Sequence, residues 1–137
     1  MATVQTTYLG DLRTQATHLQ SGISILTDAP TDNQGKGEAF SPTDLVATAL
    51  GSCIITTMGI VARRDGLNFN GSSLEITKVM AAEAPRRIAR IEIKITMQTD
   101  VELDETTKAK YVRVAHTCPV AISLHPDLIQ DVTIEWK

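Results

Sequence analysis

Between Leu45 and Ala62 no residue carries a charge, and apolar side chains recur on every side of the helical wheel instead of along one stripe. Such a stretch has to be wrapped by protein or cross a membrane. Its ends are well marked. Ser41-Pro42-Thr43-Asp44 is a capping box in its Asp form, with Ser41 as N-cap and Pro42 at the first helical position. Arg63 and Arg64 complement the negative pole of a helix, and Gly66 offers the left-handed residue that commonly closes one. Thr48, Gly51, Ser52, Thr56, Thr57 and Gly59 dilute the apolarity, and strand-like sequence lies on both sides, which disfavours a membrane span. The expectation is a soluble helix buried on every side, with Cys53 near its middle. Gly51, beside Ser52 and Cys53, marks a kink or a close approach by another backbone, and a kink would place Cys53 on a fresh helix N-terminus.

A chain of 137 residues is the size of one domain, 1–137, yet is barely long enough to enclose a fully apolar helix. That shortage points to a partner subunit. A formal net charge of −3 and a pI near 5.5 argue against a nucleic-acid surface or a polybasic membrane anchor. The opening residues MATVQTTYLG lack a charged start followed by an apolar core, so no secretory leader and a cytoplasmic location are expected. In that compartment Cys53 and Cys118 are expected to be free thiols, and their wide separation is unlike a zinc-ribbon spacing.

The chain reads as an α+β fold. Strands are expected at Val4–Leu9, Leu12–Leu19 and Ile23–Leu26, with turns at Gly10-Asp11 and Ser21-Gly22. A long loop, TDAPTDNQGKGEAF, then carries Glu38 toward the helix. Leu67 to Met80 is strand-like with an interruption at Asn70-Gly71, and Leu74 and Ile76 are its surest inward positions. Ile91, Ile93, Ile95 and Met97 alternate with polar residues and form the cleanest strand. Asp104 caps a second helix from Glu105 to about Ala115, with Ala109, Val112 and Ala115 or His116 on one side. Pro119 ends it and opens a short third helix through Leu124, which sets Cys118 at or beside an N-cap. Val132–Trp136 closes the chain as a strand.

The chemistry centres on the thiols. A thiolate attacks peroxides and electrophiles, whereas a neutral thiol hardly does. Cys118 has the more legible environment for a low pKa, because a helix N-terminus favours negative charge. Cys53 has the better-protected position, but burial alone raises a thiol's pKa. A cysteine on a buried helix most often serves as a small hydrophobe. Against that, peroxide reduction calls for two thiols, one to attack and one to condense with the sulfenic acid, and two are present. His18, His116 and His125 lack metal-ligand spacing, and a Cys118–His116 pair two residues apart on a helix end would not normally face each other. The glycines of NQGKGEAF and GSSLE lack the strand-turn-helix setting of a nucleotide site, so no cofactor or metal is expected.

With these residues in view, the chain resembles the OsmC/Ohr family, named for an osmotically inducible protein and for organic hydroperoxide resistance. The resemblance is carried by SPTDLVATALGSC ending in Cys53, by TDAPTDNQGKGEAF before it, and by HTCPV around Cys118. It implies an OsmC-like β3-α-β2-α2-β subunit in an intertwined homodimer. It also implies an organic-hydroperoxide peroxidase in which Cys53 is the peroxidatic nucleophile and Cys118 resolves it through a disulfide, with a small dithiol or lipoyl-type reductant. The family's peroxide-binding arginine carries over to Arg13, the only arginine before the helix. Where family members read Asn-Pro-Glu, this chain reads Ser41-Pro42-Thr43 with an acid one place later, so Asp44 or Glu38 is the candidate for the assisting acid. Two rivals from other classes are a non-catalytic redox-sensing or small-molecule-binding module and a hotdog-type thioesterase with Asp44 or Glu38 as base.

Overall fold

The computed structural model describes residues 1–137. In chain order it contains β1 (Val4–Gly10), β2 (Arg13–His18), β3 (Ser24–Asp28), a 3-10 turn (Thr31–Asn33), α1 (Pro42–Arg64), β4 (Ser73–Met80), β5 (Ile88–Met97), α2 (Glu105–Ala115), α3 (Pro119–Ser123) and β6 (Ile129–Trp136). The order matches the α+β subunit expected from the sequence. The elements gather into two compact units, Met1–Val46 and Ala47–Lys137.

In the first unit β1, β2 and β3 form an antiparallel sheet in that order. The β1–β2 turn lies one residue later than expected, with Asp11 at φ 53° and Leu12 at φ 63°. Two positive φ values suit the twist of a tight hairpin, even though Leu12 adopts that region at a cost. β3 runs past its expected end at Leu26, because Thr27 and Asp28 pair with Thr14 and Arg13 on β2. The loop that follows is shaped by its glycines. Gly35 donates its N–H to the Pro30 carbonyl at 2.9 Å, and a Cβ there would meet the Ala29 oxygen at 1.6 Å. The capping box forms as read: the Asp44 N–H donates to Ser41 Oγ and the Ser41 N–H donates to Asp44 Oδ2, both at 3.0 Å.

In the second unit α1 continues unbroken past Gly51, so Cys53 gains no fresh helix N-terminus. The glycine serves a close approach instead, made by side chains and not by backbone: a Cβ at Gly51 would lie 2.4 Å from Ile76 Cδ1 and 3.4 Å from Leu74 Cδ2 on β4. Within this single chain the burial of α1 is one-sided. Ala47, Leu50, Gly51, Ile54, Met58 and Ala62 are buried along one stripe, whereas Ile60 is 51% exposed. Length and a mean hydropathy of 2.0 would let α1 cross a membrane, but this stripe is already packed within protein.

β4 pairs antiparallel with β5, and β5 pairs parallel with β6, the return connection running through α2 and α3. Ile91, Ile93, Ile95 and Met97 are buried in strict alternation, as the sequence predicts. On α2 the expected cap holds, with Asp104 Oδ1 accepting the Thr107 N–H at 2.8 Å. Its buried face differs from expectation: Tyr111 and Ala115 are inside, and Ala109 and Val112 are exposed. The reason is aromatic. Tyr111 meets Phe69 edge-on with centroids 4.9 Å apart, and its hydroxyl is satisfied by donating to Asp65 Oδ2 at 2.6 Å. Lys110 Nζ donates to the same oxygen at 2.6 Å. These bonds tie α2 to the end of α1, and so set where Cys118 falls.

Gly51→Ala should gain about 1 kcal/mol of helix propensity and lose about 1–3 kcal/mol by overpacking against Ile76, for a net loss on the order of 1 kcal/mol. Adding Ile76→Val removes the colliding methyl and should recover part of that loss. Denaturant melts of the single and double variants check this; a stabilised Gly51→Ala protein would show that β4 yields freely.

Candidate functional site

The first chemical group belongs to the second unit. Pro119 cannot continue α2 but suits the first position of α3, which puts Cys118 in the extended N-cap conformation at φ −67°, ψ 146°. Its sulfur accepts the Ala121 N–H at 3.3 Å. The sequence reading made this the better setting for a thiolate. The structure reverses that, because Cys118 is fully buried. Burial pushes its pKa above the ordinary thiol value and outweighs the opposing N–H groups of Ala121 and Val120, and the adjacent Cys53 thiol pushes it further up. Cys118 is therefore held as a neutral thiol. Cys53, half-buried on α1 beside the packed stripe, is near enough for its thiol to raise that of Cys118. His116 caps the C-terminus of α2 and is exposed, so it does not share the burial of Cys118.

The second group belongs to the first unit. Arg13 opens β2, directly across the ladder from Asp28 at the end of β3. Its Nε donates to Asp28 Oδ1 at 2.7 Å and its Nη2 to Asp28 Oδ2 at 2.8 Å, a bidentate pair. Nη2 also donates to Glu38 Oε1 at 2.9 Å. The Glu38 N–H closes the ring by donating to Asp28 Oδ2 at 3.0 Å. Burial grades across the three: the Asp28 side chain is 1% exposed, Arg13 28% and Glu38 64%. The Arg13 hydrogen bonds hold the Asp28 carboxyl below the usual carboxylate range against its desolvation, and raise the guanidinium in turn.

The structure thus brings Cys53 together with Cys118, and Arg13 together with Glu38. Asp44 is engaged in the N-terminal cap of α1. Asp28 was missed, because in TDAP an aspartate reads as a turn residue. Extending β3 by two residues in the β2 register would have placed it opposite Arg13.

Two three-stranded sheets, a long helix and two free cysteines, one on that helix and one at the head of α3, make up an OsmC-like fold. The chain belongs to the OsmC-like protein family, whose model matches residues 35–132. A crystal structure from Psychrobacter arcticus 273-4, provisionally described as an osmotic stress induced and detoxification response protein, matches with a TM-score of 0.92 and 55% identity over 98% of this chain and 96% of that one. An OsmC-like protein from Mycoplasma pneumoniae shares the fold with a TM-score of 0.79 at 16% identity, over 97% of this chain and 94% of that one. An organic hydroperoxide resistance protein OsmC from Legionella pneumophila shares it with a TM-score of 0.72 at 15% identity, over 98% of each chain. No curated protein matches.

A raised pKa means that at any pH below it Cys118 carries less thiolate than a free cysteine does. Iodoacetamide between pH 7 and about 9 should therefore label Cys53 ahead of Cys118, as read by peptide mass spectrometry of the native protein. Equal or inverted labelling would show that the α3 N–H groups outweigh burial.

Proposed function

We propose that this protein is a thiol peroxidase that reduces organic hydroperoxides, with Cys53 as nucleophile and Cys118 as resolving thiol. The observation that carries the reading is the neighbouring pair of thiols on α1 and at the head of α3, one half-exposed and the other buried and kept neutral. The name of the Legionella pneumophila structure supports the substrate class.

The cycle balances as follows. The Cys53 thiolate attacks the outer oxygen of ROOH, the O–O bond breaks, and the leaving alkoxide takes a proton to become ROH while sulfur becomes a sulfenic acid. Cys118 then attacks that sulfur, expelling water and forming the Cys53–Cys118 disulfide. A small dithiol, of the lipoyl kind, reduces the disulfide and is itself oxidised, returning both thiols. A neutral Cys118 suits this order, since it does not compete for peroxide. In this reading Arg13 supplies the cationic peroxide-binding group and Glu38 the assisting acid, while Asp44 keeps a capping role. A reducing, cytoplasmic setting maintains the starting thiols.

The same proposal includes a homodimer. The open side of α1 adjoins a groove of about 690 Å³ lined by Ile55, Ile60, Leu67 and Phe69 among others. Val4, Tyr8, Leu9, Ile23, Ile25 and Leu26 on and around the first sheet are exposed as well. Apolar surface on that scale is normally covered.

One equivalent of cumene hydroperoxide should convert the wild type to an intramolecular disulfide. Cys118→Ser should stop at a sulfenic or over-oxidised Cys53, and Cys53→Ser should stay reduced, all read by mass spectrometry. A disulfide that forms without steady-state peroxide consumption in excess dithiol would identify a redox sensor instead. Light scattering at micromolar concentration should give twice the 14.9 kDa chain mass, and a stable monomer would refute the dimer.

A further inference from the structure

The Arg13 group contains a carboxylate that the peroxidase reading leaves without a part. Asp28 is the most buried member, it takes both Nε and Nη2 of Arg13, and it also accepts the Glu38 N–H. Glu38 is mostly exposed and takes only a second hydrogen of Nη2. We propose that Asp28 is the positioning residue of this centre. It holds the guanidinium edge-on through Nε and Nη2, so that Arg13 presents Nη1, which has no protein partner, and Nη2 wherever Glu38 yields it, as donors to an oxygen-bearing anionic or peroxidic ligand.

Three features carry this assignment. The pairing is built into the sheet, since Arg13 and Asp28 are direct partners in the β2–β3 register, and the rigid ladder aims the side chain. Two parallel bonds fix both the position and the plane of the guanidinium, which a single bond to an exposed glutamate cannot do. The backbone then seats the glutamate on the same carboxylate: the Asp28 N–H donates to the Phe40 carbonyl at 3.1 Å while Asp28 Oδ2 receives the Glu38 N–H. Asp28 thereby sets the arginine and the stretch of loop that carries Glu38. Glu38 is the exchangeable partner, a carboxylate occupying the donor that an incoming ligand would take. The depressed carboxyl pKa of Asp28 keeps this brace charged through the neutral range.

The assignment rests on the peroxidase reading only for the ligand, so the experiment separates the two. Nitrogen–proton correlation spectra of the full chain report the Arg13 Nε–H directly, the signal being identified by its loss in Arg13→Lys. In the wild type and in Glu38→Gln it should be sharp and slow to exchange. In Asp28→Asn it should broaden or vanish while circular dichroism shows a folded chain, and stopped-flow thiol loss with cumene hydroperoxide should slow on the order of ten- to a hundred-fold. Asp28→Glu should recover part of the rate, whereas a merely structural role would leave the rate of any folded variant unchanged. A sharp Nε–H signal with an unaltered rate in folded Asp28→Asn overturns the proposal. Collapse of the signal in Glu38→Gln also overturns it, by making Glu38 the fixing group, and that arm decides the matter if Asp28→Asn does not fold. Should the wild type itself fail to consume peroxide, the peroxidase reading falls, and the Nε–H signals alone decide the positioning role.

Discussion

The contact between Gly51 of α1 and Ile76 of β4 is the constraint on which the rest of the second unit depends. An uncharged helix can be held by a sheet only if its stripe fits the sheet's side chains, and here the fit is tight enough that even a single Cβ would collide. That contact fixes the rotation of α1 about its axis. With Ala47, Leu50, Ile54, Met58 and Ala62 turned inward, Cys53 is carried to the flank of the stripe, half-buried and not sealed. The aromatic cluster of Phe69, Tyr111 and Trp136, with Asp65 satisfying the Tyr111 hydroxyl, then holds α2 so that its end delivers Cys118 to the same flank.

The two thiols show burial and hydrogen bonding working in opposite directions. A helix N-terminus alone would favour a thiolate at Cys118, but α3 spans only Pro119–Ser123 and the sulfur is out of water, so desolvation prevails. Asp28 is the reverse case. It is as buried as Cys118, yet two bonds from a guanidinium and one from a backbone N–H overcome the desolvation and keep it ionised. What differs is the number and charge of the donors each group receives, which is why burial raises the pKa of the thiol while that of the carboxyl is lowered.

The length of the chain accounts for what stays uncovered. A chain of this size packs one side of α1 and leaves Ile60 and the neighbouring groove open. The apolar positions around the whole helix thus divide in two: one stripe packs within the chain, and part of the remainder is exposed.

Much of this was written in local patterns. The bounds of α1 followed from Ser41-Pro42-Thr43-Asp44 and Gly66, those of α2 from Asp104, and the start of α3 from Pro119, since caps and prolines act within a few residues of themselves. The strict alternation of β5 was equally plain, and the sequence singled out both cysteines as candidates, one on α1 and one at the head of α3. What the tertiary structure decided was non-local. Tyr111 faces inward, where the sequence predicted Ala109 and Val112, because Asp65, far back along the chain, accepts its hydroxyl. The Cys118 thiol is pushed above its ordinary value by burial among its neighbours, which no helix-end rule counts. Asp28 became part of the Arg13 centre through strand register, and register is set by which strands pair, a property that no short stretch of sequence carries by itself.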